Sequence, residues 1–161
     1  LNRYRAFVWN DGTITALSTL KSYAYDIDQY EGSIYVAGKI EFSGENRAVY
    51  WVDGSATYLP RDTGEINAAA AIAKNETNLS IIGSSNSGSN IPVYWLDGTM
   101  HTISGRKLLD VQYSSDGTQH IVGNKDSYNV IAAYWIDGVE QTLDLPNEDT
   151  YDSEAIRIWV R

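Results

Sequence analysis

The run Ala48-Val49-Tyr50-Trp51-Val52-Asp53-Gly54-Ser55-Ala56-Thr57-Tyr58-Leu59 decides how the rest of the chain folds. Two alternating segments flank an Asp-Gly pair, a strong hairpin signal because a type I′ turn needs positive φ at both central positions. The word at its centre, Trp-x-Asp-Gly, occurs four times: Trp9 to Gly12, Trp51 to Gly54, Trp95 to Gly98 and Trp135 to Gly138. Each copy is followed, five positions after its glycine, by an aliphatic residue: Leu17, Leu59, Ile103 or Leu143. The chain is therefore a repeat protein, and its unit contains at least one hairpin.

Aligning the copies extends the unit upstream. The tryptophans are spaced by 42, 44 and 40 residues, within the range typical of a four-stranded propeller blade. Three of them are preceded by an apolar strand that ends in glycine: Ile34 to Gly38, Leu79 to Gly83 and His120 to Gly123. Further upstream lies a short strand of small and aliphatic residues, Ala24 to Ile27, Ala69 to Ile72, Leu109 to Val111, and at the end Ala155 to Ile158. Each unit then reads as strands A, B, C and D, with the Trp closing C and the aliphatic residue closing D. Such units cannot bury both faces alone, and stacking them radially does so. The fold expected is all-β, a β-propeller of about 42-residue four-stranded repeats, with residues 1–161 as one domain.

The A-to-B and C-to-D turns are short: Tyr30-Glu31-Gly32, Asn75 to Asn78, Ser114 to Gly117, and the Asp-Gly pairs. The other connections look longer and variable: Glu41 to Asn46, Ser84 to Asn90 and Asn124 to Asn129 between B and C, and Pro60 to Glu65, Ser104 to Lys107 and Asp144 to Ser153 between D and A. Alternate turns of a meander fall at opposite ends, so one face is expected to carry uniform turns and the other long loops. The chain opens on a strand C and ends in a strand A. Either the last strand closes a four-bladed ring against the first, or the chain is a segment of a larger propeller; the absence of an initiator Met suggests a mature or trimmed fragment.

Composition narrows the chemistry. Twelve Tyr and five Trp against two Phe suit strands in which amphipathic rings bridge core and surface. A net charge of −9 repels nucleic acid and anionic membranes. Without cysteine there is no disulfide framework, thiol nucleophile or Cys-based zinc site. No apolar run is long enough for a helical membrane span. No cofactor is expected.

With the units in register, Ile34-Tyr35-Val36-Ala37-Gly38 followed by Ala48-Val49-Tyr50-Trp51-Val52-Asp53-Gly54 resembles the repeats of secreted bacterial proteins of the HAF type and related Bacteroidetes surface proteins. The resemblance covers nearly the whole chain. It implies a propeller-like fold and an extracellular or cell-envelope location, and it brings no catalytic motif. The third unit departs from the pattern, with Leu109-Asp110-Val111 for the Ala-x-x-Ile strand and Pro92 where others have Ala, so that blade is expected to pack differently.

For individual residues, the bland reading outweighs the chemical one in most cases. The repeated Trp reads as core between units rather than a sugar platform, and the repeated Asp as turn chemistry rather than a calcium ligand. His101 and His120 have no metal-ligand spacing around them, and the acidic groups Glu148-Asp149 and Asp152-Ser153-Glu154 read as solvated loop. The sequon matches at Asn75 and Asn78 mean little in a bacterial protein. The binding candidates are on the long-loop face: Arg61, Asp62, Arg106, Lys107, Tyr128 and Tyr151, hydrogen-bonding groups and rings suited to a glycan or a surface protein. The expected function is a non-catalytic secreted or surface module with such a ligand. A structural spacer in a larger envelope protein is the alternative, and a glycoside hydrolase, which needs convergent carboxylates, stands third.

Overall fold

The computed structural model describes residues 4–61, 65–86, 91–105, 107–125, 131–143 and 156–160. Those residues are all-β. A hairpin of β1 (Phe7–Asn10) and β2 (Thr13–Ala16) precedes three four-stranded sheets. The first of these is β3 (Ser22–Tyr30), β4 (Ser33–Phe42), β5 (Glu45–Val52) and β6 (Ser55–Tyr58); the second is β7 (Glu65–Lys74), β8 (Leu79–Asn86), β9 (Ile91–Leu96) and β10 (Thr99–Thr102). The third is β11 (Lys107–Tyr113), β12 (Gln119–Asn124), β13 (Ala132–Ile136) and β14 (Val139–Gln141). Each sheet is an antiparallel meander in chain order, so strands A to D of the repeat are its four neighbours.

The Asp-Gly words form the expected turns. Asp11, Asp53, Asp97 and Asp137 have φ between 44° and 50°, and the glycines after them lie between 78° and 84°, the pair of left-handed residues that type I′ requires. The aspartates do more than turn the chain. Asp53 Oδ1 accepts the amide of Ile34 at 2.9 Å, Asp97 Oδ1 that of Leu79 at 2.8 Å, and Asp137 Oδ1 that of Gln119 at 2.9 Å. Each of these aspartates also donates its own N–H to the carbonyl of the same residue. The C-to-D turn thereby clamps the start of strand B.

The glycine that closes the apolar part of strand B has a different cause. Strand A carries an extra residue at the same repeat position in each sheet: Tyr25, Ala70 and Leu109 are bulged between paired neighbours, and β7 has a second bulge at Asn67. Bulges increase local twist and push backbone out of the ladder. Opposite them sit Gly38, Gly83 and Gly123, where a Cβ would lie 2.0, 2.4 and 2.1 Å from the carbonyl oxygens of Tyr23, Ala68 and Lys107. The Trp rings of strand C press on the same spot: added Cβ atoms at Gly38 and Gly83 would also meet Trp51 and Trp95. Pro92 and Leu109 leave the register intact, contrary to expectation. Pro92 pairs with Ser84, its carbonyl accepts Ile103 N–H as Ala48 accepts Leu59 N–H, and Leu109 occupies the common bulge.

Apolar faces meet between successive sheets. Trp51 packs with Ala6, Leu17, Val36 and Val49, Trp95 with Ala37, Leu59, Ile72 and Val93, and Trp135 with Ile82, Ile103, Val111 and Ile121. All three rings are fully buried, as expected, and Trp95 Nε1 donates to Pro60 O of the preceding sheet at 2.9 Å. Trp9 is the exception: it is 71% exposed. Its hairpin has no strand B and no preceding sheet beside it among the described residues, so an identical word has nothing to bury it.

Polar ties reinforce the seams. The amide of Ala6 donates to Ser22 Oγ at 3.0 Å, joining the hairpin region to β3. Asp26 Oδ2 and Asp28 Oδ2 of β3 accept the amides of Ile72 and Lys74 on β7 at 2.9 and 2.7 Å. Between the second and third four-stranded sheets, Ser80 Oγ bonds Tyr113 OH and accepts from Gln119 Nε2. Asp110 Oδ2 accepts the amide of Ile158 at 3.1 Å, so segment 156–160 stands to β11 as β7 stands to β3. The B-to-C connection of the first four-stranded sheet is shorter than the sequence suggests. Glu41 to Asn46 is not a long loop, because β4 and β5 continue to Phe42↔Glu45 around a two-residue Ser43-Gly44 turn with φ of 53° and 86°.

Candidate functional site

The bulge that displaces the glycine-opposed residue also gathers side chains from several sheets. Tyr25, Asp26 and Ile27 of β3, Ala70 and Ala71 of β7, Leu109, Asp110 and Gln112 of β11, and Arg157, Ile158 and Trp159 line one cavity of about 420 Å³. Every wall is a strand A or the segment that corresponds to one. The chemistry is mixed: two carboxylates, a guanidinium, an amide, a phenol and an indole around small aliphatic residues.

The two carboxylates are held firmly. Asp26 accepts Ile72 N–H through Oδ2, and Asp110 accepts Ile158 N–H through Oδ2 and Val111 N–H through Oδ1. Burial pushes the Asp26 carboxyl above its ordinary value; the amides of Ile72 and Ile27 oppose this, and the negative charges of Asp110 and Asp28 add to it. The repeat position of Asp26 is occupied by Ala71 in β7, Asp110 in β11 and Arg157 in the last segment. Acid, neutral and basic side chains thus face one space from equivalent places. Among the described residues no cluster of three or more His, Asp or Glu side chains could hold a metal ion.

Next to the cavity runs a row of tyrosines. Tyr4 and Tyr23 have ring centroids 5.8 Å apart and planes inclined by 23°, and Tyr23 and Tyr25 lie 6.4 Å apart at 5°. Tyr4 and Tyr25 are exposed, and Lys39 Nζ stands 5.0 Å over the Tyr23 ring. Tyr25, the bulged residue, belongs both to this row and to the cavity wall. The row lies toward the end of the sheet where D-to-A and B-to-C connections gather: β3 begins there, and Lys21 and Glu41 pair at 2.6 Å beside it.

That end is where the sequence places the loop candidates. Arg61 is exposed just after β6, its Nη1 3.5 Å from Glu45 Oε2 at the B-to-C turn. Lys107 opens β11 on another sheet, pairs with Asn124 and is exposed. Asp62, Arg106, Tyr128 and Tyr151 lie outside the described residues, as do Glu148, Asp149, Asp152 and Glu154. The histidines sit as structural groups: His101 stacks on Tyr94 at 4.9 Å, and His120 bonds Tyr134 OH through Nδ1 and Ser114 Oγ through Nε2. Asn75 folds back on its own turn, its Oδ1 accepting the amides of Thr77 and Asn78. Sequence reasoning missed Tyr23, Tyr25, Asp26, Asp110 and Gln112 because they read as ordinary residues in or beside strand A, and Tyr4 because it read as the start of a strand C. The one available signal was Asp at two positions of a strand that is otherwise small and aliphatic.

No helix of the described residues is long and apolar enough to cross a membrane. No family model matches the chain, and no curated protein is significantly similar to it.

Proposed function

We propose that the chain is a non-catalytic glycan-binding module in which the four sheets are blades of one β-propeller, and that it works outside the cell or in the cell envelope. The observation that carries the binding reading is the row Tyr4, Tyr23, Tyr25 leading to a cavity lined by Asp26, Asp110 and Gln112. Flat amphipathic rings offer stacking surface to the apolar faces of sugars, while carboxylate and amide oxygens accept from hydroxyl groups, the combination of apolar wall and few placed polar groups usual for small-ligand sites. The propeller arrangement is supported by a single cavity walled by strand A of three sheets and by segment 156–160. The extracellular placement rests on the resemblance of the repeats to HAF-type secreted proteins.

Asp26 and Asp110 share the cavity, which is the convergence a glycoside hydrolase needs. Both, however, already serve as acceptors for backbone amides of the neighbouring strand. A carboxylate pinned in this way is a structural tie with some accepting capacity left, which favours binding over acid catalysis. Glycan arrays and pull-downs test the reading on three proteins: wild type, the double variant Tyr25→Ala, Gln112→Ala, and the triple variant Arg61→Ala, Arg106→Ala, Tyr128→Ala. Glycan retention lost in the double variant is expected. Retention unchanged in it but lost in the triple variant moves the site to the loops, and no retention by wild type overturns the glycan reading.

A further inference from the structure

The seam between the first hairpin and the first four-stranded sheet is underfilled, and side-chain size is the reason. The residue before the Trp of each word is Tyr50, Tyr94 or Tyr134 in the three sheets but Val8 in β1. Its cross-strand partner is Thr57, His101 or Gln141 in the sheets and Thr15 in β2. Between the second and third four-stranded sheets such a pair fills the space. The Tyr94 and His101 rings stack at 4.9 Å, and Tyr94 packs on the core that holds Ile121 and Trp135. The Tyr94 hydroxyl stands over the next C-to-D turn, so that a Cβ at Gly138 would lie 2.8 Å from it. At the first seam a Cβ at the equivalent Gly54 would meet Thr15 Cγ2 alone, at 3.6 Å. What this leaves is a cleft of about 300 Å³. Its walls are strands C and D of the hairpin with the turn between them, and strand B and the C-to-D turn of the sheet that follows.

We propose that this cleft binds a small phenol, one aromatic ring with a hydroxyl group and a short alkyl substituent. The ligand's chemistry is read from Tyr94, which carries that group in the equivalent place of another seam. Buried Leu17 and Val36, with half-buried Val8, make an apolar floor for the ring, and Val36 stands where Ile121 supports Tyr94. Exposed Asn10, Thr13, Thr15 and Asp53 make a polar rim. Asp53 sits beside Gly54, and among the described residues its carboxylate holds Ile34 N–H through Oδ1, which leaves Oδ2 to accept the ligand hydroxyl. An apolar floor with a few placed polar groups is the usual make-up of a small-ligand site. Size selects within that class: an apolar cavity of about 150 Å³ is enough for benzene, and ligand pockets start at about 300 Å³. The cleft therefore suits a single substituted ring rather than an oligosaccharide. It shares no lining residue with the cavity beside the tyrosine row, so the two sites are separate.

Titration of the full chain with p-cresol, followed through backbone amide NMR shifts, tests the proposal. Saturable shifts at Val8, Thr15, Val36 and Gly54 are expected, with a Kd of about 1 mM or tighter. Toluene, the same ring without the hydroxyl, should bind roughly tenfold more weakly through the loss of one hydrogen bond. Val8→Tyr fills the cleft from within and should weaken p-cresol binding by about tenfold or more. Thr15→His narrows it from the other strand and should weaken binding in the same direction, which keeps the test open if Val8→Tyr does not fold. The double variant Tyr25→Ala, Gln112→Ala should bind p-cresol as wild type does. No saturable shift at about 5 mM p-cresol overturns the proposal, as does wild-type affinity in both Val8→Tyr and Thr15→His. Toluene binding as tightly as p-cresol overturns the phenol assignment, and loss of p-cresol binding in the double variant moves the ligand to the other cavity and overturns this site.

Discussion

Gly38→Ala tests whether strand B ends in glycine because of backbone proximity. Gly38 is not in the left-handed region, so alanine there meets no conformational penalty of the kind it meets in a turn. The new methyl, however, would sit 2.0 Å from Tyr23 O and 2.9 Å from Trp51 Cζ3, where real Cβ contacts essentially never fall below 3.0 Å. The bulged backbone of β3 or the strand itself must therefore move by about 1 Å, and the nearest atom is a paired carbonyl rather than the end of a flexible side chain. Overpacking of this kind costs about 1–3 kcal/mol. The smaller freedom of alanine in the unfolded chain returns roughly 0.4–1 kcal/mol, which leaves, mid-range against mid-range, a net loss of about 1.3 kcal/mol. Urea denaturation of the variant and wild type measures it, with Gly44→Ala as a contrast: Gly44 has open space around it and φ of 86°, so its cost is conformational alone. Replacing Trp51 by Phe in the Gly38→Ala background should recover little, since the main clash is with backbone. A Gly38→Ala protein as stable as wild type, or one restored by Trp51→Phe, would refute the close-approach account.

The four repeated tryptophans should separate by context: Trp51, Trp95 and Trp135→Ala each cost about 3–5 kcal/mol, whereas Trp9→Ala stays within about 0.5 kcal/mol of wild type in the same assay. Asp97→Ala, which unclamps Leu79, should lose about 1–2 kcal/mol through an amide left without its acceptor, and Asp11→Ala should lose less, since among the described residues its side chain accepts no strand B amide. The folded chain holds the Asp26 proton more tightly than the unfolded chain, so this group's contribution falls as pH rises from its ordinary 3.8 through the raised folded value. Asp26→Asn keeps an acceptor for Ile72 N–H, and denaturation at several pH values should show its stability relative to wild type rising across that window. Asp116 behaves oppositely: Ser114 Oγ and Thr118 N–H hold its carboxyl down to about 2, so it favours folding above its ordinary value and loses that contribution as acid approaches about 2. Asp116→Ala should flatten that acid limb.

What could be read from the chain was what is local. Asp-Gly with flanking alternation specifies a two-residue turn through the φ preferences of two residues, and the sheets bear this out at all four copies. Burial of Trp51, Trp95 and Trp135 followed from parity within a strand, but parity does not say whether a neighbour is present, hence Trp9. Ser43-Gly44 was hidden among charged residues that look like a loop yet continue the ladder to Phe42↔Glu45. The glycine of strand B was visible as a repeat and its reason was not, because a bulge is a relation between two strands. The same holds for the candidate site: Tyr25, Asp26 and Asp110 are brought together by the stacking of sheets, and no spacing along the chain encodes that meeting.

The bulge at Tyr25 has a consequence for the two sides of its strand. In an uninterrupted strand Ser22, Ala24, Asp26 and Asp28 would all point the same way. With one residue inserted in the middle, Ser22 reaches back to Ala6 while Asp26 and Asp28 reach forward to Ile72 and Lys74. A single strand of even-numbered polar residues thus changes hands halfway, stitching the sheet before it to the sheet after it. Deleting Tyr25 would act as a frameshift in three dimensions, aiming both carboxylates at the wrong neighbour while leaving the composition of the strand almost unchanged.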